Sequence, residues 1–125
     1  LDVLVDNGLL DVATEKGAYL EKLLDEYLGD LPCVGDKRGI GLLRAVEYVR
    51  SAETREPFPK ESRLAQRLWD ATWQRGVILS SGRFNSPLVA DCTSIAPPLV
   101  ATEAELEHGI QVLREAVIEC IGKEG

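Results

Sequence analysis

Two adjacent prolines, Pro97 and Pro98, end an apolar run that begins at Ser94 and lead directly into a helix start. Proline has no N–H for a strand ladder and disfavours helix at the residue before it. The pair therefore predicts a rigid exit at the end or edge of a strand. Thr102 and Glu105 have the spacing of a capping box, so a helix should start at about Glu103. The fold must accommodate strand, exit and capped helix in close succession.

Apolar side chains recur at helical spacing over 9–28 and 62–75 and from 103 to 122, which predicts three amphipathic helices. Segment 34–51 has Gly35, Gly39 and Gly41 before a β-branched and aromatic run. It predicts one long strand with an irregular start, where glycine marks a bulge or a close backbone approach. Segments 77–81 and 92–100 predict two short strands. This order predicts an α+β fold: a small antiparallel sheet of three to four strands with helices packed mainly on one face.

Composition limits the classes of partner. A chain of 125 residues, 45% of them hydrophobic, is sufficient for one domain with its own core. A net charge of −7 would repel nucleic acid and anionic membranes, so neither is expected as a partner. No segment approaches the roughly 20 apolar residues of a membrane span. Cys33, Cys92 and Cys120 are odd in number and lack CxxC or Cys/His spacing, which favours reduced thiols, a cytoplasmic setting and no metal site.

The first residues of the chain form a separate case. The sequence contains no methionine and opens on an apolar stretch that resembles the last turn of a helix ending near Asn7 and Gly8. We expect this stretch to belong to a longer polypeptide.

A search for catalytic groups finds few candidates. His108 is the one histidine and lies among polar residues, which favours a solvated position over a general base. Glu47 is expected on the exposed side of a one-sided strand. The glycine-rich segment 35–41 lacks the spacing of a phosphate loop and leads into a strand, so a bulged strand start is the preferred interpretation. Trp69 and Trp73 lie four apart, which favours core, or core and rim, over a stacking platform.

Arg83 is the remaining candidate. It lies in a turn-rich loop between two predicted strands, and a guanidinium there can offer a two-pronged contact to a carboxylate or phosphate. A plain solvated arginine is the alternative, and composition alone leaves both open.

Four motifs in order carry a family resemblance: "VGDKRGIGLLRAVEYV", "TREPFP", "WQRGVILSS" and "SIAPPLVATEAELE". This arrangement resembles the C-terminal small domain of class III pyridoxal-phosphate-dependent aminotransferases, the ω-aminotransferase group. The resemblance covers nearly the whole chain. It implies that residues 1–8 are the end of an interdomain linker helix and that residues 9–125 form the small domain.

The resemblance further implies a fold-type I dimer in which a lysine of the large domain holds pyridoxal 5'-phosphate as a Schiff base. That lysine, the aspartate that pairs with the pyridinium and the phosphate-cup residues belong to the large domain, so the chain should not transaminate by itself. The expected partners are that large domain or a second subunit. The chain's own lysines lie in contexts that do not match the family's lysine: Lys16, Lys22, Lys37, Lys60 and Lys123.

Many members of the family hold the substrate carboxylate with an arginine just before the PPL strand, and Arg83 is the nearest match here. The segment "RFNSPLVAD" replaces the family's short turn, so the local alignment differs. An alternative to the transaminase fragment is a stand-alone α+β binding or oligomerisation module descended from such a domain. An exposed apolar patch would mark the face that a severed domain has lost contact with.

Overall fold

A computed structural model describes residues 8–82 and 91–122 of the chain. The described part contains these helices and strands: α1 (Leu9–Leu28), β1 (Val34–Ile40), β2 (Leu43–Tyr48), α2 (Leu64–Gln74), β3 (Ser80–Gly82), β4 (Cys92–Ile95) and α3 (Glu103–Gly122). A short 3-10 helix, Lys60–Ser62, precedes α2. The predicted α+β class and the three predicted helices are confirmed.

The four strands form one antiparallel sheet in the order β1-β2-β4-β3. Side chains that alternate along β2 have opposite environments: Val46 and Tyr48 are buried, whereas Leu43 is exposed. The buried set joins the apolar faces of all three helices in one core, which includes Leu20, Leu24, Leu28, Leu68, Ile95, Leu113 and Val117. We call this side of the sheet the helical face and the opposite side the open face.

The segment predicted as one long strand is a hairpin, so that prediction was wrong. β1 and β2 pair from Val34 with Tyr48 to Ile40 with Leu43, and the turn between them contains Gly41 at φ +54°. Glycine readily adopts this left-handed conformation. The sequence analysis attributed Gly39 and Gly41 to an irregular start of one strand, whereas Gly41 forms the tight turn of a hairpin. The bulge prediction is confirmed, because the register shifts between Val34 and Asp36, at Gly35.

The hairpin turn rests directly on α1. A Cβ placed on Gly17 would meet the backbone carbon and oxygen of Gly41 at 2.6 Å, so only glycine allows this approach. Arg44 ties the contact together: its guanidinium donates to the carbonyl oxygens of Gly41 (2.8 Å) and Gly17 (3.2 Å). The side chain of Arg44 is only 11% exposed. The hairpin therefore has one fixed position against the helix.

The C-terminal end of α2 explains where β3 begins. Gly76 has φ +80°, its N–H donates to the Trp73 carbonyl (2.9 Å), and the Val77 N–H donates to the Thr72 carbonyl (2.9 Å). These two bonds form a Schellman motif, which confirms Gly76 as the helix-ending glycine. Because Val77 is part of the cap, the strand predicted to start there starts only at Ser80.

The helix after the prolines begins as predicted. β4 ends at Ile95, before Pro97 and Pro98, and α3 begins at Glu103. The Glu105 N–H donates to the Thr102 hydroxyl oxygen at 3.1 Å, which is the first half of a capping box. Among the residues that the structure describes, no helix is both long and apolar enough to cross a membrane.

Candidate functional site

A groove of about 490 Å³ opens where β4 ends. Residues 94–98 form one wall and residues 77–80 form the other, because these two segments separate beyond the last pair of β3 and β4. The first three turns of α3 and Leu20 of α1 form the floor. Pro97 and Pro98 have no N–H to donate to a strand ladder, which fits a wall that continues β4 without pairing to residues 77–79.

The lining of the groove is mainly hydrocarbon. Leu79, Ile95, Pro97, Leu106 and Ile110 contribute apolar surface. Its polar side chains are Ser80, Ser94 and Glu105, and no described lysine, arginine or histidine lines it. The volume is within the range of small-molecule pockets. Among the described lining residues, however, no serine is hydrogen-bonded to a group that could act as its base. The groove can therefore hold apolar groups, and it has no catalytic constellation of its own.

The described lysines have structural roles. Lys16 donates to the Leu99 carbonyl oxygen at 2.7 Å and so fastens the exit segment to α1. Lys22 pairs with Glu26 (3.8 Å) on the surface of α1, and Lys37 of β1 pairs with Asp25 of α1 (3.4 Å). Lys60 is exposed in the 3-10 helix. None of these four amines lies in the groove, and Lys123 is outside the described residues.

Arg83, the candidate for binding a substrate carboxylate, also lies outside the described residues. His108 is exposed on α3, as predicted. Glu47 lies on the open face, where the Arg38 guanidinium donates to its carboxylate at 2.9 Å. Glu47 thus lies on the predicted side of the strand, but its side chain is only 24% exposed. Arg38 and Glu47, two charged residues of this segment, thus form an ion pair on the open face.

The two tryptophans were expected in the core, or one in the core and one at its rim. Neither belongs to the core cluster. Trp69 is half-buried and Trp73 is 53% exposed, and their rings stack at 5.0 Å with an angle of 20° between the planes. Helical spacing brought the rings together as expected. The core contacts of α2 come instead from Leu64, Leu68 and Thr72, so the helix buries a different stripe.

The three cysteines are not in disulfides: Cys92 and Cys120 are buried, and Cys33 is partly buried. Burial raises the pKa of the Cys33 thiol, which disfavours the reactive thiolate. Within residues 8–82 and 91–122, no group of three histidine, cysteine or acidic side chains is arranged to hold a metal ion.

Sequence reasoning missed both the groove and an exposed apolar strip on the open face. The strip had a signal in the sequence. Leu43 lies an odd number of residues before Val46 and Tyr48 on β2, and neighbouring residues of a strand point to opposite faces, so Leu43 points away from the helices. The groove gave no such signal, since it depends on how two segments distant in sequence separate.

Comparison with known proteins places these observations in context. No protein-family model matches the chain. The uncharacterized aminotransferase YodT of Bacillus subtilis is 33% identical over 119 residues, which cover 94% of this chain and 27% of that protein. The adenosylmethionine-8-amino-7-oxononanoate aminotransferase of Nitratidesulfovibrio vulgaris is 36% identical over 118 residues, 94% of this chain and 20% of that protein.

The structural match covers a similar share of this chain and of its relative. A thermostable (S)-enantioselective omega-transaminase from Thermomicrobium roseum superposes with a TM-score of 0.82 and 34% identity, covering 97% of this chain and 25% of the transaminase chain. The chain thus spans about a quarter of the proteins that it matches.

Proposed function

Since this chain belongs to the aminotransferase family as a fragment or domain, we propose that it is the C-terminal small domain of a class III, pyridoxal-phosphate-dependent aminotransferase. The complete enzyme would transfer an amino group between an amine or amino acid and a 2-oxo acid. The observation that carries this proposal is the extent of the match: nearly all of this chain aligns with about a quarter of each relative.

The residues described here do not fit the cofactor. Pyridoxal phosphate needs a lysine that can form a Schiff base in an enclosed pocket. The described lysines are exposed, paired with a carboxylate or bonded to a backbone carbonyl. We derive no catalytic step from this chain, and the cofactor belongs in this proposal to the remainder of the enzyme, the large domain.

In this proposal the chain contributes the wall of the active-site entrance. The proline exit and the groove form a rigid apolar surface where β4 ends. We assign to Arg83 the binding of the substrate's carboxylate, since a guanidinium gives two parallel hydrogen bonds to that group. The enzyme is expected to be a dimer in the cytoplasm, a setting in keeping with three cysteines outside any disulfide.

The experiment is a chimaera in which this chain replaces the matching segment of the Bacillus subtilis relative. With pyridoxal phosphate, the chimaera should transfer amino groups from an amino donor to a 2-oxo acid. An inactive chimaera that is folded and retains the cofactor would contradict the proposed function.

The same chimaera tests Arg83. Arg83→Ala should raise the apparent KM for a dicarboxylic substrate, because the lost guanidinium no longer pairs with the second carboxylate. Arg50→Ala is the matched control, since Arg50 is exposed and pairs with Glu56 at 3.7 Å. An unchanged KM in Arg83→Ala would remove Arg83 from the binding site.

A further inference from the structure

The groove at the end of β4 combines an apolar lining with one charged side chain. Among its described lining residues, only Glu105, in the first turn of α3, is ionised at neutral pH. Glu105 is exposed, and no hydrogen bond or ion pair within the described part of the chain engages its carboxylate. The surrounding side chains are hydrocarbon, among them Leu79, Ile95, Leu106 and Ile110. The groove therefore offers apolar contact and an unpaired negative charge in one place.

Gly109 leaves the floor of the groove open. A glycine inside a helix weakens that helix, so a reason for its presence is expected in packing or in binding. Packing explains Gly17 of α1, where a Cβ would meet the backbone of Gly41 at 2.6 Å, but a Cβ on Gly109 would meet no described atom within 4 Å. Glycine is the usual residue where a ligand approaches the backbone closely. Gly109 thus keeps free a space that the described part of the chain does not fill.

Glu105 and Gly109 lie on the same side of α3. Residues four apart on a helix are neighbours on one face, and the helical rise separates them by about 6 Å. Both line the groove, and so does Ile110, the residue after Gly109. A molecule whose charged end contacts the Glu105 carboxylate can therefore lay a hydrocarbon chain of about six carbons across Gly109.

The charges around the groove favour a cation as the bound molecule. Glu103 precedes Glu105 in the first turn of α3, and Glu107 follows in the next. The helix N-terminus contributes only about half a positive charge, which is less than the charge of these carboxylates. No described lysine, arginine or histidine lines the groove, and the whole chain has a net charge of −7. An anionic ligand would be repelled by this surface.

The groove is a different place from the binding site assigned to Arg83. The segment that carries Arg83 precedes Cys92 at the start of β4, whereas the groove opens beyond Ile95 at the other end of that strand. The length of the strand separates its two ends by about 10 Å. Binding in the groove is thus distinct from the binding of a substrate carboxylate.

We propose that the groove is a binding site for a small organic cation, a molecule with an apolar body and an ammonium group. The apolar body lies against Leu79 and Ile95 and over Gly109, and the ammonium group pairs with the Glu105 carboxylate. This inference goes beyond the proposed function, because the site binds its ligand without transferring a group. It can be tested on the isolated chain.

The probe is hexyltrimethylammonium, whose nitrogen carries no hydrogen and cannot act as an amino donor. Hexanoate is the matched compound with the same chain and a negative end. Each is titrated into the isotope-labelled 125-residue chain while the amide chemical shifts are followed. The cation should bind with a Kd of about 1 mM or tighter, as expected for a ligand of this size. Hexanoate should bind at least about five-fold more weakly, and the shifts caused by the cation should concentrate in residues 94–98 and 105–110.

Two pairs of variants test the two parts of the site. Glu105→Gln should reduce the preference for the cation over hexanoate to less than about two-fold. Glu103→Gln is its matched control, because Glu103 is in the same turn but does not line the groove, and it should retain the preference. Gly109→Leu fills the groove with a side chain and should weaken binding of the cation at least about ten-fold. Ala104→Leu, exposed on α3 outside the groove, is its control and should bind the cation as the wild type does.

The amide spectrum of each variant checks that it is folded. Absence of saturable binding of the cation, or equal binding of the cation and hexanoate by the wild type, would overturn the proposal. Undiminished binding by folded Gly109→Leu would also overturn it, because the cation would then bind elsewhere. A preference lost equally in Glu103→Gln and Glu105→Gln would show that the ammonium group does not pair with Glu105, with the same consequence.

The chimaera with the Bacillus subtilis relative tests whether the groove is available in a complete enzyme. Calorimetric titration should show that the wild-type chimaera binds hexyltrimethylammonium and that its Gly109→Leu variant binds it more weakly. If neither chimaera binds the cation although the isolated chain does, the remainder of the polypeptide fills the groove and the proposal is overturned. Amino transfer by the chimaera tests the proposed function separately, since the probe cannot be a substrate.

Discussion

The two faces of the sheet differ in how their apolar residues are covered. On the helical face, Val46, Tyr48 and Ile95 are packed under three helices and are almost inaccessible to solvent. On the open face, Leu43 of the same strand β2 and its partner Ile40 of β1 stay exposed. The two faces of one strand thus have opposite environments.

The difference shows which apolar side chains are buried by the described part of the chain itself. The helical face is closed by local connections and forms a core sufficient for one domain. The open face carries apolar groups that this core does not need. Exposed apolar groups that lie close together are typical of interaction surfaces.

The sharpest test of this comparison substitutes one leucine on each side. Leu113→Ala should lower the free energy of unfolding by about 2–5 kcal/mol, since Leu113 is fully buried in α3 and a cavity remains. Leu43→Ala in the isolated chain should change it by less than about 0.5 kcal/mol, because the side chain is exposed. Urea denaturation measures both values, and similar losses would contradict the assignment of the two faces.

The next largest effect on stability is expected at the contact between the hairpin and α1. Gly17→Ala places a methyl group against the backbone of Gly41 and should destabilise the chain by about 1–3 kcal/mol. Gly109→Ala is the control in α3, where no atom lies within 4 Å of the new Cβ. It should stabilise the chain by about 0.5–1 kcal/mol, because alanine favours helix over glycine. If both variants were stabilised equally, the turn would not rest on the helix.

Much of the helical face could be predicted from the sequence, because each helix has an apolar stripe and recognisable ends. Thr102 and Gly76 are the clearest cases, since a capping hydroxyl and a left-handed glycine act within a few residues. The hairpin could not be separated from a single long strand, because a glycine near a turn is equally typical of a bulge in one strand.

The candidate site was less predictable. The groove depends on the separation of residues 77–80 from residues 94–98, a long-range feature. The burial of the two tryptophans was unpredictable for a related reason. Helical spacing determines that Trp69 and Trp73 are neighbours, but it does not determine which stripe of α2 faces the core. The assignment of Arg83 remains a prediction.

The cap beside the groove gives a smaller effect. Thr102→Ala removes the hydroxyl oxygen that accepts from the Glu105 N–H and should cost about 1 kcal/mol of unfolding free energy. Thr54→Ala, in an exposed turn, is the control and should have little effect. Urea denaturation of the two variants provides the comparison, and equal stability would show that the hydroxyl does not cap α3.

The smallest expected effect on stability comes from the surface ion pair of Asp30 and Arg114. Two hydrogen bonds from the guanidinium, at 2.6 Å and 2.9 Å, lower the pKa of the Asp30 carboxyl. A carboxyl with a lowered pKa in the folded chain stabilises the fold above its unfolded pKa, and this stabilisation is lost as the pH falls through the folded value.

Asp30→Asn should therefore be less stable than the wild type at neutral pH, and the difference should disappear in acid. Asp70→Asn is the control, because Asp70 accepts a hydrogen bond from neutral Gln66. Unfolding curves at several pH values measure both differences. A difference for Asp30→Asn that does not change with pH would show that the ion pair does not stabilise the fold.

The central claim is that this chain is one part of an aminotransferase and acts only with the remainder. The most direct measurement compares amino transfer by the isolated 125-residue chain and by the chimaera, both supplied with pyridoxal phosphate and the same substrates. The account predicts turnover by the chimaera and none by the isolated chain. Turnover by the isolated chain that depends on pyridoxal phosphate would contradict it.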